Sequence, residues 1–315
     1  MSYAKYPGDF SVERLVKKAI EENWKNYHYC LGRSPSVELS IGRYLTWLIT
    51  NVPDPFMNLV VSTQLPPKGT DELIESALTY FRSLNIRRLS WLAEEGVPAI
   101  EIGKYLVAHG LTFEESFATE MAADLIALPD NLPLPTGLKI MRVEDGETLL
   151  KWIHIASIGF DYPEELENIW YDFFVETVFD LPFRSYLALL NGQPVGTSQL
   201  FLSAGVAGIY NVTCVPEARC KGIGAAITLA PLLDARAMGY RIGILQASQL
   251  GYTVYRRLGF QDYGKLSVYM WENDRDLLVH DGPSVEVSAV LQAPEVMRSH
   301  PSPLLEAKTK PQNHI

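Results

Sequence analysis

The C-terminal half of the chain alternates between the two-residue period of strands and the period of about 3.6 residues of amphipathic helices. Asn191-Gly192 predicts a tight turn between two strands, and Gly239 predicts the end of a long helix. Strands are predicted at 137–143, 184–190, 193–202, 207–215 and 242–247, with a pair of strands in 260–271. Helices are predicted at 147–158, 164–178, 222–238 and 252–258. This succession predicts an α/β (α+β) fold with a mixed sheet.

The N-terminal half repeats part of this plan. Strands are predicted at 58–64 and 88–93, and helices at 71–84 and 99–109. Gly110 precedes Met121 by the same number of residues as Gly259 precedes Met270. Short α/β segments also align by chance, so the pattern is either an internal repeat or a coincidence.

A proline-rich segment at 128–137 separates the two halves. Its three prolines, Pro129, Pro133 and Pro135, exclude a continuous helix and favour an extended linker. After residue 273 the chain has no sustained period, which is typical of an irregular tail. We therefore predict an N-terminal domain (1–127), a linker (128–136), a C-terminal domain (137–273) and a tail (274–315).

Composition narrows the class of protein. The 315 residues are 47% hydrophobic and 20% charged, which is typical of globular domains with substantial cores. The net charge of −10 argues against a nucleic acid as the main partner, because its phosphates would be repelled. The three cysteines have no regular spacing, and no apolar stretch approaches the length of a membrane span. We expect a cytoplasmic protein with no membrane partner. The oligomeric state stays open.

Two segments of the C-terminal half carry candidate chemistry. The first is Arg219-Cys220-Lys221-Gly222-Ile223-Gly224, which joins an apolar strand to a long helix. Glycine lets the backbone approach an anion closely, and the first N–H groups of a helix attract negative charge. The second is a short helix in which Tyr255 lies four residues before Gly259. A glycine pair alone is a weak signal, but the two segments at this spacing are much more specific.

Together the segments resemble the GCN5-related N-acetyltransferase (GNAT) superfamily, whose acyl-CoA loop has Gln or Arg, two free positions, Gly, one free position, and Gly or Ala. The resemblance implies a GNAT-like acyl-CoA N-acyltransferase fold, complete in the C-terminal copy and degenerate in the N-terminal one. In the N-terminal half, Pro66-Pro67-Lys68-Gly69-Thr70 takes the place of the loop. Two prolines remove two N–H donors there, so a repeated copy would be non-catalytic.

The resemblance also implies an acyl-CoA site with acetyl-CoA as co-substrate. A gap between 210–215 and 242–247 would hold the pantetheine arm, and a free backbone N–H near Val212 to Cys214 would serve as an oxyanion donor. Arg219 and Lys221 would add positive charge, although Lys221 is equally consistent with a solvated loop residue. The residues implied in cofactor binding are Val212, Cys214, Val215, Arg219, Cys220, Lys221, Gly222, Ile223, Gly224, Ala225, Ser248 and Tyr252.

By the same resemblance Tyr255 is the general acid that protonates the leaving sulfur. The alternative is a tyrosine that is simply packed, and Tyr252 would then be the fallback. Ser248 stands where many members have Asn, and Gly251 where many have Ala. Ser248 can still cap the following helix and bind the pantetheine.

The acceptor side is less marked. Asp161, Tyr162 and Tyr210 are the candidate substrate-binding residues, since an aromatic and acidic lining suits a cationic amine. The alternative is that residues 160–165 only begin a helix, with negative charge at its N-terminus. His154 lies in an apolar helix and is interpreted as a packed or surface residue. No metal-ligand spacing is found, so no metal is expected.

The predicted function is therefore N-acetylation of a primary amine of a small molecule, by direct transfer in a ternary complex. Two alternatives remain: a non-catalytic acyl-CoA-binding sensor, and a protein or peptide N-acetyltransferase. The N-terminal copy could pair its strand edges with the second copy or form a wall of the acceptor pocket. The acceptor, the acyl chain length and the general base stay undetermined.

Overall fold

The structure is a computed structural model that describes residues 10–50, 52, 57–66, 68–94, 97–175, 178–179 and 181–273. The predicted tail at 274–315 lies outside the described residues. None of the helices within the described ranges combines the length and the apolar character needed to cross a membrane.

Helices and strands alternate through most of the described chain. The helices are α1 (Phe10–Leu31), α2 (Thr70–Ser83), α3 (Val97–Ala108), α4 (Gly146–Phe160), α5 (Glu167–Phe174), α6 (Ile223–Ala237) and α7 (Gln249–Leu258). The first strands are β1 (Glu38–Ile41), β2 (Leu45–Ile49), β3 (Asn58–Thr63), β4 (Arg88–Glu94) and β5 (Thr112–Asp124). The later strands are β6 (Leu138–Arg142), β7 (Phe183–Leu190), β8 (Gln193–Ser203), β9 (Val206–Cys214), β10 (Ile242–Ala247) and β11 (Gln261–Glu272).

These strands form one mixed sheet in which the two halves exchange their last strands. The order is β1-β2-β3-β4-β11-β5-β10-β9-β8-β7-β6. The last strand of the second half, β11, lies antiparallel beside β4 of the first, with Tyr269 opposite Trp91. The last strand of the first half, β5, lies antiparallel beside β10 of the second, with Met121 opposite Leu245. Each half is therefore completed by a strand of the other.

The two halves share one backbone plan, which confirms the internal repeat. The order β3-α2-β4-α3-β5 matches β9-α6-β10-α7-β11, and the pairs β3–β4 and β9–β10 are both parallel. Gly69 and Gly222 precede α2 and α6 with φ of 83° and 79°. Gly110 and Gly259 precede β5 and β11, also at positive φ. The boundaries 1–127, 128–136 and 137–273 stay a prediction, because the exchanged strands cross them.

Several elements differ from the sequence-based expectation. The predicted pair of strands in 260–271 is wrong: β11 is one strand whose pairing with β5 is irregular near Gly264 and between Leu266 and Val268. The predicted helix at 164–178 is shorter, with a 3₁₀ turn at Glu164–Leu166 before α5. The helix α1 and the strands β1, β2 and β5 were not predicted as elements.

Helix α1 joins the N-terminal half to the second half of the sheet. Its fully buried Asn23 donates from Nδ2 to the Ser203 carbonyl at 3.0 Å and accepts from the Tyr210 hydroxyl at 2.7 Å. One apolar cluster extends from α1, β2 and β3 to α4, α5 and β7–β9. Because this core contains residues of both halves, neither half closes that side of the molecule alone.

Candidate active site

Strands β9 and β10 separate after a short paired stretch. Their parallel pairing covers three positions and ends at Ile209 opposite Leu245. At the same level the β8–β9 register shifts, and Asn211 adopts φ 51°. Asparagine tolerates this left-handed conformation better than most residues. Beyond this point a gap opens between the two strands, where the sequence placed the pantetheine arm.

Hydrogen bonds hold the backbone at Asn211 in this conformation. Its side chain donates from Nδ2 to the Tyr27 hydroxyl and to Gln199 Oε1, both at 3.1 Å. Thr197 Oγ1 donates to the Asn211 carbonyl at 2.9 Å. Tyr27 belongs to α1 and its ring stacks on Tyr210 at 4.1 Å between centroids. Helix α1 thus supports the distortion that separates β9 from β10.

The segment before α6 has the geometry of an anion site. Cys220 and Gly222 have positive φ, of 60° and 79°, whereas Lys221 between them does not. When left-handed residues alternate with ordinary ones in this way, successive N–H groups turn to one side of the chain. A Cβ placed on Gly222 or Gly224 would meet no atom within 4 Å, so the space over the first turn is open. The first turn of α6 carries no acidic residue. Position 71 of α2, which corresponds to Gly224 when Gly69 is matched to Gly222, is an aspartate.

The other residues implied in cofactor binding surround this segment. Arg219 donates to the carbonyl oxygens of Cys214 at 3.2 Å and Gly159 at 3.1 Å, which ties the segment to the end of α4. Burial raises the pKa of Cys214 to about 11, so its thiol stays protonated at neutral pH. Ile223, the first residue of α6, is buried in the core, whereas Cys220 and Lys221 are exposed. Val215 and Ala225 pack against the same core.

Tyr255 lies at the cavity with a protonated hydroxyl. It is 7% exposed, and burial raises its pKa to about 12, partly offset by a hydrogen bond with Thr228. A Cβ on Gly251 would come within 2.6 Å of the Tyr255 ring, so the glycine makes room for this ring. Ser248 caps α7 by accepting from the Gly251 N–H, as its position predicted. Tyr252 donates to Asp262 at 2.8 Å and does not line the cavity.

A cavity of about 310 Å³ begins at the gap between the strands. Val212, Gln246, Ser248 and Tyr255 line one part of it. Aromatic side chains of α4, α5 and the segment between them line another part; they are Phe160, Tyr162, Trp170, Phe173 and Phe174. The first half of the chain contributes apolar residues from β2 to β5, namely Leu48, Met57, Leu59, Leu92 and Ala118. The N-terminal half therefore both pairs with the second half and forms a wall of this cavity.

Helix α1 adds three functional candidates that were missed from the sequence: Trp24, Tyr27 and His28. His28 is 4% exposed, and its Nδ1 lies 2.9 Å from the Trp24 carbonyl. A signal for them was present, because Trp24, Tyr27, His28 and Leu31 follow the i, i+3, i+4, i+7 spacing of one helical face.

The predicted substrate-binding residues have different positions. Tyr162 and Tyr210 line the cavity. Asp161 ends α4 at φ 60°, is exposed and does not line the cavity, so its role in binding stays a prediction. His154 is a surface residue paired with Glu167 at 2.9 Å, in agreement with its interpretation. Among the described residues no group of three or more His, Cys, Asp or Glu is placed to hold a metal ion.

Comparison with known proteins shows which solved structures have a similar fold. No family model and no curated protein matches the sequence. Solved structures do match: a GCN5-related N-acetyltransferase from Kribbella flavida has 19% identity and a TM-score of 0.60, covering 81% of this chain and 97% of its own. A tandem GNAT protein from the clavulanic acid biosynthesis pathway has 15% identity and a TM-score of 0.57, with coverages of 84% and 96%. A GCN5-related N-acetyltransferase from Sphaerobacter thermophilus has 16% identity and a TM-score of 0.55, covering 74% of this chain and 82% of its own. The chain therefore has the fold of the GCN5-related N-acetyltransferase superfamily, in a form that contains two copies.

Proposed function

We propose that the protein is an acetyl-CoA-dependent N-acetyltransferase that acts in its C-terminal half on a primary amine of a small molecule. The main support is one arrangement. The first turn of α6 is open and has no acidic residue, it lies beside the gap between β9 and β10, and Tyr255 lines the cavity at that gap with its hydroxyl protonated. In the N-terminal copy the corresponding helix begins with Asp71 and Glu72, which would repel a pyrophosphate. Cofactor binding is therefore assigned to the second copy only.

The residues present fit an acyl-CoA. Backbone N–H groups of 220–225 would hold the pyrophosphate, and the gap between β9 and β10 would hold the pantetheine arm. The bound co-substrate would supply an activated acyl group as a thioester. Val212 lies at the gap, where its N–H would serve as the oxyanion donor, and Ser248 lies opposite on the strand-to-helix turn.

Tyr255 suits the role of general acid. A hydroxyl whose pKa is about 12 remains protonated at neutral pH and can give its proton to a thiolate leaving group. Its ring is confined by Gly251 and by the core, so the hydroxyl has a fixed position. We propose direct transfer in a ternary complex, since the only cysteine thiols beside the gap are Cys214, which is held protonated by burial, and the exposed Cys220.

The test is thermal stabilisation by acetyl-CoA. At one hundred times its dissociation constant, a ligand that binds only the folded state stabilises it by roughly 2.7 kcal/mol. We expect this shift for the wild-type protein and not for Gly224→Asp, whose carboxylate would occupy the anion site. Aspartate in the first turn is compatible with a helix, so this variant should fold.

Ala204→Asp is the matched control. Ala204 is exposed in the β8–β9 turn with φ 53°, at the end of β9 opposite to the loop, and aspartate tolerates this conformation. It adds the same charge and should keep the shift. If the folded wild-type protein shows no shift, the proposal fails. If acetyl-CoA binds but no amine in the panel causes release of the CoA thiol, the result would favour the sensor.

A further inference from the structure

The cavity is apolar and aromatic where it extends away from the gap. The ring centroids of Tyr162 and Trp170 are 5.4 Å apart, and Trp170 stacks on Phe174 with 5.6 Å between ring centroids. Trp24 of α1 lies 6.0 Å from Tyr210, both also in the lining. Rings in these arrangements offer flat faces that suit an aromatic ligand body.

The charge of the lining argues against a cationic acceptor. None of the described residues that line the cavity is Asp, Glu, Lys or Arg. An ammonium group in this lining would lose its hydration without gaining a counter-charge, which is strongly unfavourable. The acidic lining considered from the sequence is therefore not formed by the described residues, and an amine that is uncharged before it enters fits better.

Three buried N–H donors of the lining have no acceptor within the described protein. They are Trp24 Nε1, Trp170 Nε1 and Gln246 Nε2. Buried polar groups are almost always hydrogen-bonded, and an unpaired one is destabilising. Their residues line the cavity, so a ligand that carries hydrogen-bond acceptors on an aromatic body would satisfy these donors once the side chains turn toward it.

His28 offers the complementary group. Since the Trp24 carbonyl can only accept, Nδ1 of His28 carries the proton and Nε2 keeps its lone pair. No described group hydrogen-bonds this Nε2, and the residue lines the cavity. Burial lowers the pKa of His28 to about 4, so the ring is neutral at pH 7.

We propose, on the basis of the proposed function, that the acceptor is a small, weakly basic aromatic amine that enters uncharged, and that His28 Nε2 accepts its proton. The amine nitrogen bonds to the acyl carbon, the carbon–sulfur bond breaks, and the thiolate takes a proton from Tyr255. The proton gained by His28 and the one lost by Tyr255 are then exchanged through solvent. His28 is a weak base, so it takes a proton from the amine only after the amine nitrogen has begun to bond to the acyl carbon. A weakly basic amine is required, because its nitrogen is then acidic enough to give the proton to His28.

The other titratable groups among the described residues that line the cavity are four tyrosines: Tyr27, Tyr162, Tyr210 and Tyr255. Burial raises the pKa of Tyr27 and of Tyr210, so both keep their protons at neutral pH. Among the described carboxylates, Glu120 of β5 lies outside the lining but close enough to contribute to the raised pKa of Tyr210. Glu120 is therefore the alternative proton acceptor that a test must include.

The first experiment compares amines on the wild-type protein with acetyl-CoA, by thiol release. The probes are 4-aminoacetophenone, 4-ethylaniline, which lacks the carbonyl acceptor, and phenethylamine, which is an ammonium at neutral pH. We expect kcat/KM for 4-aminoacetophenone to exceed both others by at least about tenfold, as one well-placed hydrogen bond provides. It should also be nearly constant from about pH 7 to pH 9, because the substrate stays neutral. Preference for phenethylamine, with kcat/KM rising about tenfold per pH unit, would overturn the proposal.

Two matched variants test the residues. His28→Gln keeps a donor for the Trp24 carbonyl but removes the base, and should lower kcat by about a hundredfold or more. Glu120→Gln should change kcat less than threefold, and the reverse result would overturn the assignment of His28. Trp170→Phe keeps an aromatic ring and removes one donor, so the ratio of kcat/KM for 4-aminoacetophenone to that for 4-ethylaniline should fall. Stabilisation by acetyl-CoA is measured on each variant: if it persists while only alkylamines react, this inference fails and the proposed function stands.

Discussion

Substitutions of Asn211 test most directly how α1 and the C-terminal copy form the candidate site together. Asn211→Ala removes the two hydrogen bonds from Nδ2 to Tyr27 and Gln199 and places an alanine at φ 51°. Asn211→Gly removes the same two bonds but has no steric cost at this φ. The two variants therefore separate the contribution of the side chain from that of the backbone.

The structure gives the expected magnitudes. Each hydrogen bond of a neutral side chain contributes about 1 kcal/mol net, and alanine in the left-handed region costs about 1 kcal/mol more than asparagine. We expect Asn211→Ala to lower the free energy of unfolding by about 3 kcal/mol and Asn211→Gly by about 2 kcal/mol. Asn191→Ala is the control, because Asn191 has φ 52° in the exposed β7–β8 turn. It should lose only about 1 kcal/mol.

Urea unfolding measures the stabilities, and thermal shift with acetyl-CoA measures the consequence for the site. Both Asn211 variants should lose part of the acetyl-CoA stabilisation, Ala more than Gly, because the distortion at Asn211 coincides with the opening of the gap. Asn191→Ala should keep all of it. Equal stabilities of Asn211→Ala and Asn211→Gly would refute the strained backbone. Undiminished acetyl-CoA stabilisation in both would refute its connection with the gap.

Three further predictions concern the cavity. Tyr255→Phe should lower kcat by about 10²-fold or more while acetyl-CoA stabilisation is retained, and a normal kcat would remove Tyr255 from the mechanism. Gly251→Ala should destabilise by about 1 kcal/mol in urea, because a clash of 2.6 Å with Tyr255 outweighs the gain in helix propensity; Thr253→Ala, in the same helix, should not. The pKa of His28 falls from 6.5 to about 4 on folding, so only the unfolded state takes up its proton between these values. The wild-type protein should therefore lose about 3 kcal/mol more than His28→Gln in urea unfolding as the pH falls from 6.5 to 4.

Local signals were sufficient to predict the second copy from the sequence. Gly222, Gly239 and Gly259 mark helix ends through backbone conformations that glycine adopts easily, and all three have positive φ. Asn191-Gly192 marks the β7–β8 turn for the same reason. These signals do not depend on the rest of the fold, so strand and helix positions followed within a few residues.

The exchange of β5 and β11 could not be predicted in this way. Nothing in the sequence of β11 distinguishes pairing with β4 of the first half from pairing within its own half, since either neighbour provides the same backbone hydrogen bonds. The part of the site formed by α1 was missed for a related reason. Trp24, Tyr27 and His28 lie on one helical face, but only the folded chain shows that this face covers β8 and β9.

The exchange places elements of the N-terminal half on both sides of the gap between β9 and β10. Strand β5 occupies the edge of β10 along its whole length, from Asp124 opposite Ile242 to Thr119 opposite Ala247. It therefore fixes the strand that borders the gap, while α1 fixes β9 on the other side through Asn23 and Tyr27. A degenerate copy can lose its own anion site and still be required, because both borders of the second copy's gap are held by its elements. Loss of the first copy should thus remove the site itself and not only stability.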